Sequence, residues 1–145
     1  MAKLFKITGV QNVIRNLNIE VLKIRGWSMA GLVRGVIIIR RDMDRTPPLI
    51  PIDFGNLRGS WFVVTGIGAG DKTSSKFKGP QASKLGAGHS KVVSSVGKQV
   101  KGREVVGFGF SAFYSGVVHE VVTPAKTWKR ASSGPKFLES YIKRN

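Results

Sequence analysis

Three prolines within five residues, at positions 47, 48 and 51, constrain the fold of this chain more than any other feature. Proline has no amide proton to donate, and it pushes the residue before it out of the helical region. A helix that begins near the amino terminus must therefore end before Pro47. The chain is divided at this point into a helical part and a part built from other elements.

Before the prolines, apolar residues recur at helical spacing from Val10 to about Arg45. Val36-Ile-Ile-Ile39 favours a strand by propensity, but the polar face that continues around it favours a helix. Glycine in a helix costs about 1 kcal/mol relative to alanine. Since glycines stand at 26, 31 and 35, we predict either one long helix or two helices with a break between Arg25 and Gly31.

After the prolines, Asp53 and Gly55 supply turn chemistry, and alternating residues predict a strand from Asn56 to Thr65. A second strand is predicted from Glu104 to Phe110, with two glycines on one face that suggest close approach by another element. Three shorter segments complete the prediction: a possible strand at Lys91 to Val96, a helix or bent strand at Phe113 to Val122, and an amphipathic helix at Lys136 to Arg144.

The predicted fold class is α+β. We expect a small antiparallel β-sheet packed against a long N-terminal helix, with a short C-terminal helix and a long basic loop. At 145 residues the chain fits a single domain, residues 1–145. It contains no cysteine, which excludes disulfides, a thiolate nucleophile and cysteine-type zinc sites. We expect no signal peptide, because the amino terminus has a charge every few residues and no apolar core of the required length. We expect no membrane partner, because the longest apolar run is interrupted by Arg34 and is too short to span a membrane.

The net charge of +16 is extreme for this length. Residues 66–103 hold eight basic side chains against Asp71, which makes seven of the sixteen net charges (8 − 1 = 7). Such a density attracts a polyanion, usually nucleic acid, although the lysines could equally keep a Gly- and Ser-rich loop solvated. We expect this segment to be flexible, and disordered from Asp71 to Lys101 in the free subunit. The candidate DNA-facing or clamp residues are Lys72, Lys76, Lys78, Lys84, Lys91, Lys98, Lys101 and Arg103.

Four weak motifs follow one another in a recognisable order. They are a proline-rich turn, Gly55-Asn-Leu-Arg58, the segment from Tyr114 to Glu120, and a closing Pro135-Lys-Phe-Leu138. This order resembles the tail-completion or head–tail joining (neck) proteins of tailed bacteriophages, of which the HK97 gp10-like proteins are the best-known branch. The resemblance covers about two thirds of the chain. The candidate structural and assembly residues are Asp53, Gly55, Leu57, Arg58, Tyr114, Glu120, Trp128, Phe137 and Leu138.

The resemblance implies a structural subunit rather than an enzyme. Such proteins form a ring, six-fold in expectation, that links the head connector or stopper to the tail terminator or tail tube and surrounds the DNA channel. The chain would be assembled in the host cytoplasm and located in the virion neck, contacting copies of itself and non-specific double-stranded DNA. A buried pair between Arg58 and Glu120 is expected, since both residues stand in family motifs.

Sequence patterns for catalysis are weak, and no cofactor is expected. The phosphate-loop pattern fails because Asp71 replaces its second glycine, and His119-Glu120 lacks a second histidine one turn later. We predict that His119 is a hydrogen-bonded packing residue and that Trp27 and Trp61 are core residues. Trp128, which is flanked by cations, is either an interface anchor or a nucleic-acid contact, and we favour the interface.

Two other function classes stay open. A monomeric basic nucleic-acid-binding protein explains the charge at least as well, but it does not explain the order of the motifs. A small hydrolase has only scattered serines and histidines in its favour.

Overall fold

A computed structural model of the chain describes residues 9–67, 76–120 and 128–144. Its elements are α1 (Val10–Arg45), α2 (Asn56–Gly59), β1 (Trp61–Thr65), α3 (Ala82–Val100), β2 (Val106–Phe110), α4 (Ser115–Glu120) and α5 (Phe137–Arg144). The α+β class is confirmed by the long N-terminal helix, the antiparallel pair of strands and the short C-terminal helix.

Helix α1 is continuous over 36 residues, which confirms the alternative of one long helix and excludes the break between Arg25 and Gly31. The helix lies on the rest of the protein along one line of side chains, Met29, Val36 and Met43, which are its buried residues. They are spaced by seven residues, about two turns, and therefore share one face. Burial of this face offsets the cost of the three glycines. The helix ends at Arg45, two residues before Pro47, as the prolines predict.

The two strands pair antiparallel, with Trp61 opposite Phe110 and Thr65 opposite Val106. The predicted strand at Asn56 to Thr65 begins later than expected, because Asn56–Gly59 forms a helical turn. One face of the sheet, which carries Trp61 and Phe108, packs with α1 in the larger hydrophobic core. Trp61 is therefore a core residue, as predicted, and only 8% exposed.

The other face of the sheet is covered by α3, which the sequence analysis missed. Phe62 and Val64 pack there against Val96 and Val100 of the helix. A Cβ atom on Gly107 would lie 2.5 Å from Cγ1 of Val96, so the glycine lets the helix approach the strand closely. The expectation that small residues on this face mark a close approach is thereby confirmed.

Helix α3 corrects three predictions about the basic segment. From 82 to 100 it is an ordered helix rather than part of a disordered arm or long loop, and the possible strand at Lys91 to Val96 is helical. Residues 68–75, which include Lys72 and most of the rejected phosphate loop, lie outside the described ranges. The helix is stable because Leu85, His89 and Val100 are buried, and burial of these groups compensates for the ordering entropy.

The C-terminal segment packs back on the end of α1. The ambiguous segment beginning at Phe113 is helical at Ser115–Glu120, and the predicted C-terminal helix is confirmed at Phe137–Arg144. Phe137 is fully buried in the larger core. Nη2 of Arg144 donates to Oδ2 of Asp42 at 2.8 Å, which fastens the last turn to α1.

Candidate functional site

The apolar residues of the four motifs meet in one core. Leu57 and Phe137 are buried in the same cluster, and Tyr114 and Leu138 pack against it from positions that are partly exposed. Segments that are up to 81 residues apart in the chain, from Leu57 to Leu138, are therefore brought together (138 − 57 = 81). These residues hold the protein together, and Leu57 and Tyr114 also line the groove described below.

The turn before α2 depends on Gly55 and Asn56. Gly55 has a φ of 81°, in the left-handed region that glycine adopts without strain. The Asn56 side chain forms two hydrogen bonds with the backbone of Lys78, from Nδ2 to the carbonyl at 2.8 Å and from the Lys78 amide to Oδ1 at 2.8 Å. This side chain ties the turn before α2 to the backbone at Lys78, shortly before α3 begins. The sequence analysis had not singled out Asn56, although it stands inside the Gly-Asn-Leu-Arg motif.

Arg58 does not pair with Glu120, and that prediction is wrong. Its Nε lies 3.0 Å from Oδ1 of Asp44 on α1, and its Nη2 donates to Oδ2 at 3.1 Å. Asp44 also accepts from Nη1 of Arg40 at 2.6 Å, and Nη2 of Arg130 donates to its backbone carbonyl at 2.7 Å. Asp44, through its carboxylate and its backbone carbonyl, therefore links α1, α2 and the segment before α5. The sequence shows that Asp44 stands four positions after Arg40, a spacing that favours an ion pair on a helix. It does not show that Arg58 and Arg130 also contact Asp44.

Glu120 lies at the surface and pairs within its own neighbourhood. It accepts from Lys136 Nζ and contacts Nδ1 of His119 at 2.8 Å, and these two partners, Lys136 first, hold the pKa of the carboxyl below its usual range. His119 packs edge-on against the Phe137 ring, with centroids 5.0 Å apart. The prediction that His119 is a hydrogen-bonded packing residue is confirmed.

The basic residues of the predicted arm that are described are all exposed, and three of them form a line on α3. Lys84, Lys91 and Lys98 are spaced by seven residues and therefore project from one face, about 10 Å apart along the axis. That face is opposite to the buried one that carries Leu85 and His89. We call these three residues the lysine line. The other described members of the predicted set, Lys76, Lys78, Lys101 and Arg103, flank α3 at its two ends.

A groove of about 640 Å³ opens where the turn after α1, the start of α3 and α4 meet. We call this the aromatic groove. Its wall includes Phe54, Phe113 and Val117, each more than half exposed, together with Trp128. Lys129 reaches Asp53 at its edge, and Nζ of Lys84 lies 4.4 Å from the centre of the Phe113 ring. Trp128 is thus placed at an open apolar surface, whereas Trp27, predicted to be core, is 72% exposed.

One serine and histidine pair has the contacts of a catalytic dyad without its access to solvent. Nδ1 of His89 lies 2.6 Å from Oγ of Ser111, and this hydroxyl donates to the carbonyl of Ser60 at 3.1 Å. Both residues are buried, so the pair is closed to solvent. This arrangement stabilises the junction of α3 with the sheet.

In the ranges given above, acidic residues and histidines do not gather in a group of three or more that could bind a metal ion. None of the helices described has both the length and the apolar character needed to cross a membrane.

The chain matches no protein-family model, and comparisons with curated proteins and with solved structures found no match either. The functional inference therefore depends on the motifs and on the geometry of the described residues.

Proposed function

We propose that this chain is a structural subunit of a phage or prophage neck ring, which completes the tail or joins it to the head. Copies of the chain would form the ring, the head connector or stopper and the tail terminator or tube would bind its two sides, and the genome would pass through its channel. The role is geometric and needs no catalytic group.

The observation that carries this proposal is the uncovered first half of α1. Five apolar residues that lie before Arg25 share one face: Val10, Ile14, Leu17, Val21 and Ile24. Each is between 45% and 60% exposed. A soluble protein rarely leaves so continuous an apolar surface in water unless another molecule covers it. We call these five residues the α1 stripe.

The helix is long enough to project beyond the body that it supports. Arg25 pairs with Glu104 at 2.7 Å, and Met29 is the first buried residue of α1. The fifteen residues from Val10 to Ile24 thus extend about 22 Å past this contact. Ile19, Leu22 and Trp27 are also exposed on other faces of this half. A helix that is apolar on several faces is normally buried, which favours an assembly of several copies over a monomer.

The convergence of the four motifs supports the same proposal. Leu57, Tyr114, Phe137 and Leu138 contact one hydrophobic cluster, so the motif order that resembles neck proteins corresponds to one packed unit. The lysine line adds a cationic surface suited to a sliding polyanion, because lysine acts as a mobile point charge whereas arginine grips phosphate with two parallel hydrogen bonds.

Sedimentation of the purified chain over a rising concentration series tests the proposal. We expect self-association into one closed species, and electron microscopy of that species should reveal rings. In the virus that encodes the chain, its deletion should leave filled heads and finished tails that do not join. A chain that stays monomeric at every concentration, together with deletion particles that are normally joined, would reject the neck role.

A second candidate is a monomeric nucleic-acid-binding protein, and the lysine line is the observation that favours it. This candidate predicts a monomer that binds DNA with a steep dependence on salt. It leaves the α1 stripe without a purpose, which is why the ring is preferred.

A further inference from the structure

The chain carries two uncovered apolar surfaces of opposite shape. The α1 stripe is convex, because it lies along a helix that projects from the body. The aromatic groove is concave, with room for roughly four benzene-sized groups, since a cavity that binds benzene measures about 150 Å³. Over the described residues, neither surface is filled by another part of the chain.

The spacing of the α1 stripe suits packing into such a groove. Its members follow one another in steps of four, three, four and three residues, which keeps them on one straight face of the helix. No charged residue interrupts this face between Val10 and Ile24. The acidic residue beside it, Glu20, pairs with Lys23 at 2.7 Å, and Asp53 at the edge of the groove pairs with Lys129. Both carboxylates are therefore neutralised within the chain, and burial of apolar surface is what would hold the stripe in the groove.

The two surfaces lie at opposite ends of one rigid helix. The groove is built on the turn that follows Arg45, while Leu17 stands 28 residues earlier, about 42 Å away along the axis. The α1 stripe of a chain therefore cannot reach its own groove. It can reach the groove of a second copy.

A contact between two different surfaces also has the symmetry that a ring requires. Identical patches facing each other close a dimer, whereas head-to-tail contacts propagate around a ring or along a filament. We propose that the α1 stripe of one copy docks in the aromatic groove of the next, with Leu17 and Val21 against Phe113 and Val117. This inference rests on the proposed ring and names the surfaces that form it.

The absence of cysteine makes the contact directly testable by disulfide trapping. Leu17→Cys and Val117→Cys are made in separate chains, which are mixed under conditions where the protein self-associates and are then oxidised. We expect a disulfide between the two variants at least ten-fold more abundant than in the matched control, in which Ile19→Cys replaces Leu17→Cys. Ile19 is exposed on nearly the opposite side of the same helix, so it should not reach the groove.

The other outcomes contradict this docking in distinguishable ways. Disulfides that form mainly between two Leu17→Cys chains would mean that α1 pairs with α1 of another copy. Rings that assemble but give the mixed disulfide no better than the Ile19→Cys control would reject the docking and leave the ring proposal standing. A chain that is monomeric throughout would reject both.

Variants that disrupt the surfaces give an independent readout. Leu17→Asp and Val117→Asp each place a carboxylate on a side chain that is at least 60% exposed, so the isolated fold should keep its circular dichroism spectrum. Each variant alone should fail to assemble. A closed ring needs an intact α1 stripe and an intact aromatic groove at every contact. A mixture of the two variants cannot supply both at every contact, so mixing them should not restore the ring. Normal assembly of either variant would overturn the proposal.

Discussion

At the scale of single residues, Asp44 organises more of the protein than any motif residue does. Its carboxylate contacts Arg40, Arg58 and Arg130, which come from three separate segments of the chain. The aspartate is about one fifth exposed, so these contacts are shielded from solvent more than ordinary surface pairs. Because Arg58 binds Asp44, it contributes to the structure around the Gly-Asn-Leu-Arg motif, although the sequence predicted a different partner for it.

A double-mutant cycle tests that partner. We expect Arg58→Ala to lower the free energy of unfolding by about 1 kcal/mol, because one charged hydrogen-bonded partner of Asp44 is lost while two remain. Arg58→Ala and Asp44→Asn should be coupled, whereas Arg58→Ala and Glu120→Gln should be additive. Lys78→Ala should have almost no effect on the free energy of unfolding, because Asn56 bonds to the backbone of Lys78 and the Lys78 side chain is exposed. Coupling of Arg58 to Glu120, measured by chemical denaturation, would contradict the structure.

At the scale of elements, the packing of α3 on the sheet decides how the basic segment folds. Its apolar positions, Leu85, Val92, Val96 and Val100, recur at helical intervals. Glycines and serines between them lower the helix propensity, which is why the segment was predicted to be a loop. The missing information was the second apolar face of β1, formed by Phe62 and Val64, which requires a cover.

The contact between Gly107 and Val96 gives this packing a specific test. We expect Gly107→Ala to lower the free energy of unfolding by about 1–3 kcal/mol, because its Cβ would lie 2.5 Å from Cγ1 of Val96 and force the helix away. Gly86→Ala is the matched control, since nothing lies within 4 Å of its added Cβ and alanine favours a helix. Adding Val96→Ala to Gly107→Ala should recover part of the loss in thermal unfolding. Equal melting temperatures for the two glycine variants would show that α3 does not approach β2 so closely.

At the scale of the whole molecule, the lysine line and the α1 stripe are separate surfaces. The cations of the lysine line lie on the outer face of α3 and the α1 stripe lies on the projecting half of α1, whereas the aromatic groove adjoins the lysine line at Lys84. This separation permits one surface to contact nucleic acid while another contacts protein. A ring subunit needs both kinds of surface, and a monomeric DNA-binding protein needs only the first.

The lysine line predicts a specific effect on DNA binding. Changing Lys84, Lys91 and Lys98 to Gln should leave folding unchanged, because all three side chains are exposed. Binding to free duplex DNA should weaken, and the slope of log K against log salt should become shallower by up to about 3, roughly one unit per lost phosphate contact. No sequence preference is expected. The matched control removes the same charge from α1 with Arg15→Gln, Arg34→Gln and Arg41→Gln, and an equal loss in both variants would mean that only net charge matters.

The sequence by itself determined the elements whose causes are local. Pro47 and Pro48 ended the first helix because proline cannot continue it. Alternating residues predicted strands at Asn56 to Thr65 and at Glu104 to Phe110, which are found at Trp61–Thr65 and Val106–Phe110. The two glycines of β2 predicted a close neighbour without identifying it. These features depend on residues within a few positions of one another, so a single sequence contains them.

Only the tertiary structure decided which apolar faces are covered. Helical periodicity from Val10 to Ile24 looks the same as the periodicity of a core helix, yet these residues are exposed while Met29, Val36 and Met43 are buried. Arg58 pairs with Asp44 rather than with Glu120, because folding places α2 beside the end of α1. The position of a side chain relative to distant segments depends on how the elements pack, and the same local pattern is compatible with either outcome.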